Sequence, residues 1–147
     1  MTAFRNEQDL FNLKKTVLVV EDNDINREIL KSILEEKYIV LEATNGQEAL
    51  DVLNNSKDFI SLILLDIQMP ILDGFGFLNE YNKHEDYKKI PVIVTTSEGD
   101  EEEHALEKGA SDFVTKPYKP NVILKRVEAL IRLKASIGAI LETRLDQ

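Results

Sequence analysis

The chain has no cysteine and no tryptophan. Without thiols it has neither disulfides nor thiolate metal sites, which fits a reducing compartment. Aromatic residues make up only 7% of its 147 positions, so valine, isoleucine and leucine must build the core. Basic charge is also scarce: 18 Lys plus Arg stand against 27 Asp plus Glu, a formal charge of −9. So acidic a surface argues against direct nucleic-acid binding, which needs a basic patch, and against anionic lipid. No apolar run approaches the roughly 18 residues of a membrane span. Met1 to Lys15 is polar and mixed, a short helix or loose arm without the apolar core of a signal peptide. Together these absences indicate a cytoplasmic protein that neither enters the membrane nor binds nucleic acid directly.

What is present is an alternation. Apolar, strand-like runs occur at Thr16–Val20, Tyr38–Glu42, Ile60–Leu65, Ile90–Thr95 and Asp112–Thr115. Segments with helical spacing separate them. Ile25, Ile29, Leu30, Ile33 and Leu34 form one stripe; Ala49, Leu50 and Leu53 begin a second; Phe75, Leu78 and Tyr81 mark a third. A fourth helix is expected over Glu98–Glu107, ended by Gly109, its acidic start solvated. Thr44 with Gln47, and Ser97 with Asp100, read as capping pairs, and Asp73-Gly74 as a turn. The last helix runs from Pro120 to about Leu145. Its stripe of Leu130, Leu133, Ile137, Ile140 and Leu141 outruns a crossover helix. It suits a dimerising coiled coil, a linker, or a helix that folds back on the body.

Five strands alternating with five helices imply βαβ crossovers: an α/β fold with a doubly wound, five-stranded parallel sheet. In order 2-1-3-4-5, ligands bind where the order reverses, between the carboxyl ends of strands one and three. Those strands end in Glu21-Asp22 and Asp66. The lone acid Asp66 closes the run Ile60-Ser61-Leu62-Ile63-Leu64-Leu65. Carboxylates crowded to about 4–5 Å repel by roughly 3–4 kcal/mol at an effective dielectric of ~20. A hard cation, most naturally Mg²⁺, offsets that. Thr95-Thr96 and Lys116 end the fourth and fifth strands on the same edge. Carboxylate, cation, hydroxyl and ammonium together suit phosphoryl transfer.

These residues resemble the receiver domain of two-component response regulators, over about Lys15 to Lys134. The resemblance rests on Val19-Val20-Glu21-Asp22-Asn23, Leu65-Asp66-Ile67-Gln68-Met69-Pro70 with Asp73-Gly74, Pro91-Val92-Ile93-Val94-Thr95-Thr96-Ser97, and Gly109-Ala110-Ser111-Asp112-Phe113-Val114-Thr115-Lys116-Pro117. It implies a flavodoxin-like (βα)5 fold with Asp66 as phosphoacceptor. Glu21, Asp22, Asp66 and the backbone carbonyl of Gln68 would hold Mg²⁺. Adjacent strand residues point opposite ways, so only one of Thr95 and Thr96 faces the pocket; the resemblance picks Thr96 as the switch hydroxyl, with Lys116 the phosphoryl contact and Phe113 the aromatic that moves with Thr96. The peptide before Pro117 would be cis. Glu21 stands where aspartate is commoner, and its extra methylene favours a water-mediated contact. Phe113 replaces tyrosine and has no phenol to offer a partner.

The resemblance further implies a histidine kinase or phosphotransfer protein as donor. Output would pass to a domain absent from this chain, or to a second copy through the face of the fourth helix, fifth strand and fifth helix or through the terminal helix. The expected division is an extension at 1–14, the receiver at 15–134 and a helical extension at 135–147. The rival readings are an unphosphorylated interaction module and an aspartyl-phosphate hydrolase. The hydrolase usually places a second carboxylate where Gln68 stands. A flavodoxin-like cofactor role fits less well, because the acids repel a flavin phosphate.

Overall fold

Alternation along each strand sorts the apolar residues onto two faces. The computed structural model describes residues 14–97 and 99–145, without the side chains of 99, 100, 139 and 141–145. The strands are β1 (Lys15–Val20), β2 (Tyr38–Ala43), β3 (Ile60–Asp66), β4 (Val92–Thr96) and β5 (Asp112–Thr115). The helices are α1 (Asp24–Leu34), α2 (Gly46–Ser56), α3 (Gly74–Tyr81), α4 (Gly99–Glu107) and α5 (Pro120–Leu145). All strand pairings are parallel, in the order β2-β1-β3-β4-β5. The expected α/β architecture is therefore the observed one.

On one face Val17, Val19, Leu62, Leu64, Ile93 and Val114 pack with Leu30 and Leu34 of α1 and Ile123 and Val127 of α5. On the other, Leu18, Val20, Ile63, Leu65, Val92 and Val94 pack with Ala49, Leu53, Phe77, Leu78 and Ala105 of α2, α3 and α4. With helices on both faces the central strands are apolar at nearly every buried position, Leu62–Leu65 and Val17–Val20 being continuous, and the polar Ser61 is only partly buried. The edge strand β2 differs: Ile39 is half exposed and Glu42 exposed.

Several boundaries shift, each for a local reason. β4 begins at Val92 rather than Ile90, because Pro91 has no N–H for the ladder. The Ile90 carbonyl instead accepts the buried Tyr81 hydroxyl at 2.6 Å, and burial pushes that phenol up to about 12. The α2 cap is one residue later than expected. Asn45 accepts from the Glu48 N–H at 2.9 Å, and the Glu48 carboxylate takes the Thr44 hydroxyl and N–H. A 3₁₀ turn (Lys57–Phe59) and a helical turn (Glu85–Lys88) were not anticipated. Gly109, at φ +108°, closes α4 as expected. The Asp100 side chain of the Ser97–Asp100 capping pair and most of the arm at 1–14 lie outside the described residues.

α5 is one continuous helix, and Leu133, Ile137 and Ile140 are exposed on it. Leu130 and Ile131 pack on the α1–α5 face, and the stripe turns to solvent beyond them. Among the described residues no helix is long and apolar enough to cross a membrane.

Candidate phosphoacceptor site

The site is built where β1 and β3 end side by side, with Val20 level with Leu65 in the ladder. One residue further along each strand the side chains are Glu21 and Asp66, 0% and 3% exposed. Asp22 follows Glu21 on the exposed rim. One carboxylate oxygen from each of the three lies within 4.8 Å of the others.

Local chemistry leaves Asp22 to this cluster. α1 is capped by Asn23, whose side chain accepts from the Asn26 N–H at 2.9 Å, so neither Asp22 nor Asp24 caps it. Asp24 instead pairs with Arg27 at 2.6 Å, and Arg27 also donates to the Glu21 carbonyl at 2.9 Å. Behind Asp66, the chain makes a γ-turn of the rare hand. Leu72 N–H donates to Pro70 O at 2.8 Å around Ile71, a β-branched residue at φ 70°. Gly74 must follow, because a Cβ there would lie 2.7 Å from the Asp66 carbonyl oxygen and 2.8 Å from Ile67 Cα. Its absence lets the start of α3, capped by Asp73, press against the acid-bearing end of β3.

Lys116 supplies the counter-charge. Its Nζ donates to Asp66 Oδ1 at 3.2 Å and stands 3.8 Å from Glu21 Oε1. The Lys116–Pro117 peptide is cis, as the resemblance implied, and the Lys116 N–H bonds to the Thr96 carbonyl at 2.9 Å. Asp66 Oδ1 also accepts from the Gln68 N–H at 3.3 Å. Burial, then contact with Asp66, holds the Glu21 carboxyl above the usual carboxylate range. Burial, then Glu21, raises Asp22 as well. Both shifts record carboxylates that one lysine does not fully neutralise. Oxygen donors alone, clustered and under-compensated, fit a hard divalent cation such as Mg²⁺.

The two threonines fall on opposite faces. Thr95 is level with Asp66 in the ladder, and its buried hydroxyl lies toward the Tyr118 phenol. Thr96 faces α4 and donates to Glu101 Oε2 at 2.6 Å. Phe113 is half-buried against the core on the α4 side.

Two participants escaped the sequence reading. Tyr118 donates its hydroxyl to Glu21 Oε1 at 3.1 Å, and burial followed by Glu21 raises its pKa. Its place just after the cis proline was the available signal. Glu101 bonds both Thr96 and, at 3.1 Å, the side-chain amide of Gln68. It sits within an acidic run that reads as solvated, and nothing in the spacing singles it out.

An open parallel sheet with clustered acids, a lysine and a hydroxyl at its switch point defines a phosphoryl-accepting signalling domain. Comparison with known proteins makes the class specific: residues 17–128 match the response regulator receiver domain, and the chain belongs to that family. It is 35% identical over 123 residues to the transcriptional regulatory protein SrrA of Staphylococcus aureus, covering 82% of this chain and 49% of that protein. It is 32% identical over 142 residues to the sensor histidine kinase CheAY of Helicobacter pylori, covering 91% of this chain and 18% of that protein. The chain thus spans less than half the length of either curated relative. Among solved structures, it is similar to the receiver domain of the sensor histidine kinase PA1611 from Pseudomonas aeruginosa. That likeness has a TM-score of 0.74 at 27% identity and covers 81% of this chain and 98% of that one. That structure is described with a magnesium ion coordinated in its active-site cleft. This chain is therefore a receiver domain of a two-component system, in a family that binds Mg²⁺ at an acidic pocket and works with histidine kinases, phosphotransfer proteins and output domains.

Proposed function

We propose that Asp66 accepts a phosphoryl group from a histidine kinase or phosphotransfer protein. A carboxylate oxygen of Asp66 attacks phosphorus in line. The bond from phosphorus to the donor's imidazole nitrogen breaks, its electron pair returns to that nitrogen, and an acyl phosphate remains. Water later attacks the phosphorus, releasing inorganic phosphate and restoring Asp66. Lys116 steadies a phosphoryl oxygen, and Thr96 turns to donate its hydroxyl to another, with Phe113 following. Glu21, Asp22, Asp66 and the Gln68 carbonyl would hold Mg²⁺. When bound, it neutralises charge shared by the carboxylate and the phosphoryl oxygens.

One observation carries this reading: three carboxylates with ligand atoms within 4.8 Å, and a lysine 3.2 Å from the central one. This reading gives the donor a surface to dock on. An open groove of about 690 Å³ beside the nest is lined by Ile25 and Ile29 and shares Tyr118 with the site. For output, exposed Leu133, Ile137 and Ile140 support a role for 135–147 as a signalling helix beyond the receiver at 15–134. It would lead to a second copy or to an output domain.

Incubation with Mg²⁺ and acetyl phosphate should add one phosphoryl group by intact mass, absent in Asp66→Asn. No adduct would favour an unphosphorylated interaction module. Turnover of small phosphate esters far beyond stoichiometry would favour a hydrolase.

A further inference from the structure

We propose that Glu101 is a positioning residue that keeps the Thr96 hydroxyl out of the phosphoryl pocket until Asp66 is modified. This rests on the phosphoacceptor reading above. The half-buried Glu101 carboxylate uses both oxygens. Oε2 accepts from Thr96 Oγ1 at 2.6 Å, and Oε1 accepts from Gln68 Nε2 at 3.1 Å. One acid on α4 therefore clasps the end of β4 and the loop after β3 together. That loop is the one whose Gln68 N–H donates to Asp66 Oδ1 at 3.3 Å.

A hydroxyl has a single proton to donate. While Thr96 gives it to Glu101, it cannot give it to a phosphoryl oxygen. Thr96 is 1% exposed, so water cannot easily replace either acceptor. A hydrogen bond to a carboxylate is among the stronger kinds, so the clasp biases the resting state. Phosphorylation replaces the single carboxylate charge of Asp66 with about −1.5 to −2 units on the phosphoryl oxygens, a net gain of about one unit or less, and carries that charge outward. That charge repels the Glu101 carboxylate and offers Thr96 a rival acceptor, so both effects release the clasp. Thr96 and Gln68 are then bistable, with Glu101 setting the balance.

A protein whose competent state is fractionally populated binds its ligand more weakly by that fraction. Removing the clasp should therefore tighten binding of a phosphoryl mimic. Beryllofluoride with Mg²⁺ should bind Glu101→Ala roughly three- to tenfold more tightly than wild type. Glu101→Gln, which keeps the shape and loses the charge, should fall between them and guards against misfolding of the alanine variant. In both variants, without beryllofluoride, the Thr96 methyl and Phe113 ring resonances should move toward those of loaded wild type. A merely structural acid would lower the melting temperature of its variants without tightening the mimic. If wild type binds beryllofluoride and both variants bind it equally or more weakly, with unmoved resonances, the clasp is overturned. If wild type binds none, the phosphoacceptor reading fails and the clasp falls with it.

Discussion

The interior of the sheet and its carboxyl edge follow opposite rules. Inside, Leu18, Leu62, Ile63, Leu64, Leu65 and Ile93 are sealed between helices, and each removal should cost stability. At the edge, Glu21 and Asp66 are as deeply buried, yet they are like charges with Lys116 as their shared partner. There, removal of a charge should stabilise. On the function proposed above, stability resides in the two faces and function at the edge, where a cation or a phosphoryl group would relieve the crowded carboxylates.

The strongest test of this contrast is in the interior. Leu64→Ala should cost about 3–5 kcal/mol in urea unfolding, because Leu64 is 1% exposed and packed on the α1–α5 face. A loss below about 1 kcal/mol would mean the core can collapse around the gap and is not the rigid base supposed here. Gly74→Ala tests the junction of the two regions. Its Cβ would press on the Asp66 carbonyl oxygen at 2.7 Å, so about 2 kcal/mol should be lost along with some cation affinity. Unchanged Mg²⁺ affinity in a folded variant would uncouple the α3 start from the nest.

At the edge the sign should reverse. Mg²⁺ at ten times its dissociation constant should stabilise the wild type by about 1.4 kcal/mol, and Asp22→Asn should shrink that gain. An equal gain in the variant would place the cation elsewhere. Glu21→Gln should stabilise the Mg²⁺-free protein by about 1 kcal/mol near neutral pH. The folded pKa of Glu21 is raised above 4.5, so its favourable contribution is complete below that pH and lost as pH rises through the folded value. The advantage of glutamine should therefore vanish in acid. A pH-independent advantage would trace to packing rather than charge.

Much of this was legible along the chain. Asp66 declared itself because a lone acid after six mostly branched residues has no use in a buried ladder. Glu21-Asp22 did so by ending the neighbouring strand, and Pro117 by following the lysine. Small slips came where adjacent residues compete for one role. Asn45 took the cap expected of Thr44, because both side chains can cap and backbone angle decides between them. Glu101 and Tyr118 were missed because each acts across the fold, on Gln68 and Glu21, 33 and 97 positions away.

The amino-acid order alone determined the succession of strands and helices and which carboxylates end the first and third strands, because burial on both faces demands unbroken apolar runs. It also determined that Thr95 and Thr96 point apart, since strand geometry alternates. Tertiary structure decided which threonine stands beside Asp66 and which meets α4. It also decided which acid of a solvated-looking run turns inward and where the terminal stripe meets solvent. Periodicity gives relative facing; absolute facing exists only once neighbouring strands and helices have taken their places.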